Sequence, residues 1–176
     1  MSDKVAIIGI GGAGINITKS INIPHATLLD SSTISSPDKA LEKLDVGSKE
    51  EVIIITSPAG EFSSSVLPSV CNALATKGKK IFLIAIMPFN SESEERKIRA
   101  ENTLRGVKRM VASCDVVENE NFASAMLEKS WKEAMDRIDS YVQTLIFKLV
   151  PEAAMITGGY ATGSKGVLGF NPSVSS

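Results

Sequence analysis

The sequence has very little histidine, cysteine or aromatic side chain. A single histidine, His25, cannot build a multi-histidine metal site, and two cysteines, Cys71 and Cys114, are too few for a disulfide scaffold. We expect both cysteines to be buried thiols of a protein in a reducing cytoplasm. Aromatic residues make up 5% of the chain, which argues against an aromatic platform for single-stranded nucleic acid.

The chain also lacks an excess of either charge and lacks long hydrophobic runs. Nineteen Lys and Arg against twenty Asp and Glu give a formal net charge of -1, so no basic surface points to nucleic acid and no charged block points to a membrane surface. The apolar runs are far shorter than the roughly 20 residues of a membrane-spanning helix. The first residues, MSDKVAIIG, lead directly into a predicted strand, so we predict no signal peptide and a cytoplasmic protein.

Hydrophobic residues nevertheless form 43% of the 176 residues, which is enough for one buried core. Short apolar runs alternate with helical patterns. The predicted strands cover 4–8, 26–29, 52–56, 80–87 and 115–117, and the predicted helices cover 13–21, 35–44, 63–77, 92–111 and 121–149. Because the strands show no polar alternation and are separated by helices, we predict an α/β fold with a doubly wound parallel sheet of the Rossmann-like type. We assign this domain to residues 1–150, and the Gly- and Ser-rich residues 151–176 to a C-terminal extension that we expect to be mobile.

A glycine cluster follows the first predicted strand and opens the first helix. Gly9 to Gly14 (GIGGAG) fits the pattern G-x-G-x-x-G, in which glycines let the backbone approach a phosphate and the helix N-terminus supplies free N–H groups. Asp30 ends the second predicted strand, where a dinucleotide-binding fold places its ribose-binding acid. The loop therefore predicts a phosphate-bearing ligand, with NAD as one interpretation. The alternative is a tight turn whose glycines only allow close packing of helix and strand.

A second motif follows the fourth predicted strand. Residues 88–96 read PFNSESEER, and the predicted helix continues with AEN at 100–102. This stretch resembles the K-P-F-N-F-E-G-x-x-R motif of the FtsZ branch of the tubulin superfamily. The GIGGAGIN of residues 9–16 resembles that family's first phosphate loop, G-V-G-G-x-G-x-N. The resemblance covers most of residues 4–149, with deletions, and implies the tubulin/FtsZ nucleotide-binding domain type.

The resemblance implies a guanine nucleotide site with GTP or GDP as ligand. Asn16 would contact the nucleotide, while Glu92 and Arg96 would lie at the ribose and phosphates. Their chemistry suits that place, because a carboxylate accepts from ribose hydroxyls and a guanidinium donates two N–H groups to phosphate. Asn119 matches an asparagine near ribose and base. The backbone N–H groups that would hold the phosphates are those of Gly11, Gly12, Ala13 and Gly14.

A third stretch implies how the base is read. Residues 130–136 (SWKEAMD) resemble the family's A-F-R-E-A-D-N. Trp131 would then pack against guanine. The family's guanine-reading aspartate would fall at Met135, or at Asp136 with one residue of slip. A carboxylate at that place accepts from the N1 and N2 donors of guanine, which distinguishes guanine from adenine.

Each of these residues also has a purely structural interpretation. Trp131 could belong to the core of an amphipathic helix. Glu92 and Arg96 are spaced i, i+4 and could be a solvated helix pair. Asn119 is equally suited to a helix cap or a turn, and Asp136 to an exposed helix face.

The chain departs from the family at the second glycine loop, G-G-G-T-G-T-G. That loop falls on residues 59–65 (AGEFSSS), where Gly60 is the one glycine left. Glu61 brings a negative charge towards a triphosphate, and Phe62 adds bulk where backbone must come close. The serines at 63–65 either offer hydroxyls to a phosphate or cap the following helix. The substitution therefore argues against strong triphosphate affinity.

Two further family features have no counterpart. The connection between Asp30 and Val52 is too short for the family's additional helix, strand and phosphate-sensing loop. The catalytic loop N-x-D-x-x-D is also missing, because residues 150–157 (VPEAAMIT) contain one acid, Glu152. We expect no GTP hydrolysis by the family's mechanism and leave open whether the chain is an enzyme.

The leading hypothesis is a reduced FtsZ/tubulin-like protein with a cytoskeletal or cell-division role. It would bind a guanine nucleotide weakly and act through self-assembly or partner binding, so a second copy or an FtsZ/tubulin-like filament is the expected partner. The alternatives are an NAD-binding Rossmann protein and a degenerate structural module that binds no nucleotide.

Overall fold

The sheet consists of five parallel strands. The computed structural model describes residues 4–23, 25–124, 130–149 and 151. The strands are β1 (Val5–Ile10), β2 (Thr27–Leu29), β3 (Glu51–Thr56), β4 (Lys80–Met87) and β5 (Ser113–Glu118). Their order is β2-β1-β3-β4-β5, with every neighbouring pair parallel. The predicted doubly wound parallel sheet is therefore confirmed, and the direction of winding reverses between β1 and β3.

Helices cover both faces of the sheet. A short 3-10 helix spans Asn119–Phe122, and the α-helices are α1 (Gly11–Ser20), α2 (Pro37–Glu42), α3 (Glu61–Thr76), α4 (Glu94–Val107) and α5 (Trp131–Leu149). Successive residues along each strand point to opposite faces of the sheet and so belong to two separate cores. Ile8, Ile54 and Leu83 pack with α2, α3 and α4 on one face, whereas Ile53 and Ile84 pack with α1 and α5 on the other. Burial on both faces explains why the strands are continuously apolar.

Serine side chains determine where two of the helices begin. Ser36 accepts a hydrogen bond from the Lys39 amide, with Pro37 as the first helical residue, so the helix predicted over 35–44 begins at Pro37, after its serine cap. Ser93 accepts from the Arg96 amide in the same way. The helix predicted from 92 therefore begins two residues later, because the serine is its cap rather than part of it.

The last two predicted elements need correction. Ser130 accepts a hydrogen bond from the Glu133 amide at 3.1 Å, so a new helix begins at Trp131 and the single helix predicted over 121–149 is wrong. The strand predicted over 115–117 extends over 113–118, because all six residues pair with β4. Cys114 consequently lies inside this strand and is half-buried.

Both cysteines are free thiols, but the expected burial is confirmed only for Cys71, since Cys114 is half-buried. Cys71 is buried on α3, and burial, with a smaller contribution from Cys114, raises its pKa to about 12. Burial also raises the pKa of Cys114. Both therefore remain protonated near neutral pH, and a protonated thiol is a poor nucleophile.

Glycine lets α1 lie directly against the sheet. A Cβ on Gly14 would collide with the backbone of Ile55 in β3, and a Cβ on Gly9 would collide with the Thr18 hydroxyl. That hydroxyl donates to the Gly14 carbonyl at 2.7 Å. Gly12 differs, because a Cβ there would meet nothing within 4 Å. Close packing thus accounts for Gly9 and Gly14, but no contact with the described residues accounts for Gly12.

Some expectations fall outside the described residues. The extension predicted over 151–176 is described at Pro151 alone, and Glu152 in the region compared with the catalytic loop is not described. Within the part that is described, no helix has the length and apolarity required to cross a membrane.

From the packing of α1, we expect alanine substitutions at two of its glycines to have different effects on stability. Gly14→Ala should lower the free energy of unfolding by about 1–3 kcal/mol, because the new methyl group forces α1 away from β3. Gly12→Ala, which enters open space, should leave stability unchanged or raise it slightly. Chemical denaturation of both variants measures the difference. Equal stability of the two variants would contradict the packing argument.

Candidate functional site

A cavity of about 660 Å³ opens at the carboxyl end of the sheet, beside the point where the winding reverses. Open parallel sheets bind ligands at this place, and the volume is within the range of small-molecule sites. The lining residues come from α1, from the ends of β3, β4 and β5, and from the first turns of α5. Residues Gly12 to Ser20 of α1 extend along one wall of the cavity, and this wall is about 12 Å long at a rise of 1.5 Å per residue.

The cavity brings together most of the residues that the sequence predicted for a nucleotide site. Those that line it are Gly12, Ala13, Asn16, Glu92, Arg96, Asn119, Trp131 and Asp136. Gly11 and Gly14 are buried beneath the loop and do not line the cavity, and neither does Gly60. Gly11 has a φ of 74°, which favours glycine. Glycine at this position therefore allows the backbone conformation at the start of α1. The lining residues that were not predicted include Ser20, Ser57 and Asp139.

One end of the cavity is the N-terminus of α1. Ile10 precedes this helix and provides no side-chain cap, and the first turn contains no acidic residue. The first N–H groups of a helix have no partner within it and carry the positive end of its dipole. Gly12 and Ala13 present these groups at the cavity. This end can therefore accept an anion such as phosphate.

Arg96 adds a positive charge to the lining of the cavity. Its Nε donates to Glu92 at 2.8 Å, and no bond within the described part of the chain involves its two terminal nitrogens. Glu92 also accepts from the Phe89 amide at 2.7 Å. The pair is therefore more than a solvated helix contact, because the same carboxylate fixes the turn between β4 and α4. Two lone-pair positions of the carboxylate and two guanidinium nitrogens are left for a ligand.

Asn119 supplies an unpartnered acceptor. It follows β5 directly and begins the 3-10 helix. Its Oδ1 is buried and has no hydrogen-bond partner within the described residues. A buried acceptor without a partner costs about 1–3 kcal/mol, so a ligand that donates a hydrogen bond here would recover that cost. The observation favours a ligand contact over a helix cap for this side chain.

The opposite end of the cavity is acidic. Asp139 on α5 and Ser20, the last residue of α1, both line this end. Burial raises the pKa of Asp139, interaction with the nearby Ser20 side chain lowers it, and the Asp136 carboxylate raises it. Asp139 therefore places a partly desolvated carboxyl group at the end of the cavity away from Gly12. The one feature of the sequence that could have pointed to Asp139 is its position one helical turn after Met135.

Aromatic rings form the wall beside this end. Phe89 is buried, and its ring centroid is 5.9 Å from that of Trp131 at an angle of 48°. Trp131 itself is 57% exposed. The interpretation of Trp131 as a core residue is therefore wrong, and most of its indole is available to a planar ligand.

Met135 and Asp136, the two candidates for a base-reading position, both line the cavity. Asp136 is exposed and forms an ion pair with Lys132 at 2.7 Å. That hydrogen bond raises the pKa of Lys132. Asp139 is the less exposed of the two aspartates, so it is better placed to act in low dielectric.

Residues 59–65, which were compared with the family's second glycine loop, do not line the cavity. Gly60 is the N-cap of α3. The Ser63 hydroxyl donates to the Ile10 carbonyl at 3.5 Å, and the Ser64 hydroxyl donates to the Glu61 carbonyl at 3.0 Å. The predicted helix cap by these serines is therefore wrong, because Gly60 is the N-cap and the two hydroxyls donate to backbone carbonyls instead.

Asp30, the acid expected for a dinucleotide, does not line the cavity. Its Oδ1 accepts from the Ser32 amide at 3.0 Å, and its carbonyl accepts from the Ile34 amide. These contacts close the turn after β2. For metals, the described residues contain no group of three or more His, Cys, Asp or Glu that could hold an ion.

Neither a scan against protein-family models nor a search of curated proteins finds a match. Solved structures do match. CetZ from Methanosaeta thermophila strain DSM 6194 has a TM-score of 0.68 at 19% identity and covers 83% of this chain. A CetZ from Haloferax volcanii, in a GTPγS-bound protofilament, has a TM-score of 0.66 at 18% identity and covers 89%. The empty FtsZ dimer of M. jannaschii has a TM-score of 0.67 at 18% identity and covers 88%.

These similarities confirm the resemblance at the level of the fold. The chain has the five-stranded α/β architecture of the FtsZ nucleotide-binding domain. It spans between 54% and 59% of the length of the three matched chains. Because a shared fold does not carry a shared activity, the function has to be argued from the cavity.

The raised pKa of Asp139 predicts a pH-dependent stability. Since the folded pKa lies above the usual 3.8, the free energy of unfolding should fall as pH rises from that value through the folded pKa. Asp139→Asn should remove this fall and be more stable than the wild type at neutral pH. Denaturation at several pH values tests this, with Asp45→Asn, an exposed loop change, as control. An unchanged pH profile in Asp139→Asn would contradict the assignment.

Proposed function

We propose that this chain binds a guanine nucleotide in the cavity, does not hydrolyse it by the superfamily's mechanism, and acts through self-assembly or partner binding. The observation that carries the proposal is the convergence of independently predicted residues on one cavity whose two ends differ in charge. Residues that are distant in the sequence, such as Asn16, Arg96 and Trp131, line the same space. The structural-module alternative gives no reason for that convergence.

The phosphates would lie at the N-terminus of α1. The free N–H groups of Gly12 and Ala13 and the terminal nitrogens of Arg96 would donate to phosphate oxygens. The open space above Gly12 also fits this role, because no contact in the described part of the chain requires a glycine at that position. A phosphate approaching the backbone does require one.

The ribose would lie in the middle of the cavity. Glu92 has acceptor capacity left for a ribose hydroxyl after its bonds to Phe89 and Arg96. The Oδ1 of Asn119 needs a donor, which a ribose hydroxyl or a base N–H can provide. These two acceptors favour a sugar with free hydroxyl groups.

The base would lie between Trp131 and the acidic end. The exposed indole offers a stacking surface. The carboxylates of Asp139 and Asp136 can accept from the N1 and N2 donors of guanine, whereas adenine presents an acceptor at N1. The acidic end therefore favours guanine over adenine.

The matched structures support the ligand class and the mode of action. CetZ2 of Haloferax volcanii has a structure as a GTPγS-bound protofilament, and CetZ1 of the same organism has one as a GDP-bound monomer. By analogy, a homo-oligomer or an FtsZ/tubulin-like filament is the proposed partner, in a cytoskeletal or cell-division setting. Cytoplasmic localisation remains a prediction from the sequence.

Calorimetric titration of nucleotide-free protein with GDP, GTP and NAD tests the proposal. We expect binding of guanine nucleotide and none of NAD. Gly12→Val should weaken guanine nucleotide binding by about 100-fold or more, equivalent to about 2.7 kcal/mol, because its side chain fills the space over the α1 N-terminus. Gly106→Val in α4 is the matched control, since its side chain also enters open space but far from the lining residues.

The outcomes separate the three hypotheses. NAD binding without guanine nucleotide binding would favour the dinucleotide protein. Absence of binding by all three ligands would favour the structural module. Guanine nucleotide binding that survives Gly12→Val would place the ligand elsewhere in the molecule.

Trp131 provides an internal reporter, because it is the only tryptophan in the chain. Saturating GDP should change its fluorescence emission, since stacking removes an exposed indole from water. The same titration on Gly12→Val serves as control and should give no change. An unaltered wild-type spectrum under conditions where calorimetry shows saturation would contradict the stacking role.

A further inference from the structure

The two helices at the reversal point both begin without a side-chain cap but differ in charge. The first turn of α1 contains no acid, whereas the first turn of α3 begins with Glu61. The two turns are in contact, because a Cβ on Gly11 would collide with the Ser63 hydroxyl. A phosphate chain that begins at Gly12 and lengthens therefore approaches the start of α3.

The start of α3 already carries its own anion. A carboxylate in the first turn compensates the positive end of the helix dipole, and the Glu61 side chain is 88% exposed on that turn. The nearby hydroxyls of Ser63 and Ser64 donate to backbone carbonyls. Unlike α1, this helix start offers little to a further anion.

Arg99 on α4 holds this region in place. Its Nη1 donates to the Ala59 carbonyl at 2.8 Å, and its Nη2 lies 2.9 Å from Glu95 and 3.9 Å from Glu61. The Arg99 side chain is only 22% exposed. Its charge is thus shared between two carboxylates and a carbonyl. The cavity lining includes Ser57 but no residue of 58–65.

We propose that Glu61, held beside Arg99, makes the cavity favour nucleotides with one or two phosphates over triphosphates. The inference rests on the proposed nucleotide function. One or two phosphates can be bound by the α1 N-terminus and Arg96. A third would extend towards the start of α3, where the first turn carries the Glu61 carboxylate and the positive charge of Arg99 is already paired, and like charges repel.

Titration of the wild type and Glu61→Gln with GDP and GTPγS tests this, because GTPγS resists hydrolysis. We expect the wild type to bind GDP at least about fivefold more tightly than GTPγS. Glu61→Gln should tighten GTPγS binding by about fivefold and change GDP binding by less than about twofold. Glu95→Gln is the matched control: it removes the other carboxylate partner of Arg99 but should keep the wild-type ratio of affinities. Glu61→Asp, which retains the charge, should keep it as well.

Thermal unfolding of each variant verifies that the substitutions leave the fold intact. Wild-type affinity for GTPγS equal to or greater than that for GDP would overturn the inference while leaving the nucleotide site in place. An equal gain in GTPγS affinity in Glu61→Gln and Glu95→Gln would also overturn the inference, since the effect would then come from the change in net charge. If neither nucleotide binds any of these proteins, the proposed function fails and this inference fails with it.

Discussion

Gly14 allows α1 to lie directly on β3, and the position of the cavity depends on that contact. With any side chain at this position, the helix would be displaced by the backbone of Ile55. The contact directs the start of α1 to the carboxyl end of the sheet and aligns the rest of the helix along the cavity. Ser20 at the other end of α1 then reaches Asp139 on α5. One close approach between helix and strand thus positions both ends of the site.

The cavity gains its polarity from these two ends. An uncapped helix start and Arg96 make one end attractive to anions, and the partly desolvated Asp139 makes the other end attractive to hydrogen-bond donors. A nucleotide has the same asymmetry, with phosphates at one end and base donors at the other. The neighbouring helix α3 carries Glu61 at its start, so the anion-attracting region does not continue beyond α1.

Local patterns predicted the parts of the structure that local chemistry decides. β4 was predicted with its observed limits because its buried residues are uninterrupted and apolar. The helix predicted over 35–44 corresponds to α2, whose Ser36 cap and first residue Pro37 are local features of the sequence. β5 extends further than its apolar residues do, because pairing with β4 rather than hydrophobicity sets its length. The residues Glu92, Arg96 and Asn119 were found through motifs. Asp139 was missed because its importance comes from the approach of Ser20, a contact that exists only after α1 and α5 pack together.

A crystal structure of the protein with GDP would show where and in which direction the nucleotide binds. We expect the diphosphate at the N–H groups of Gly12 and Ala13, with Arg96 alongside. We expect the guanine ring on Trp131, with its N1 and N2 directed at the Asp139 and Asp136 carboxylates. A nucleotide bound in the opposite direction or outside the cavity, or an empty cavity at saturating GDP, would show that the proposed nucleotide site is wrong.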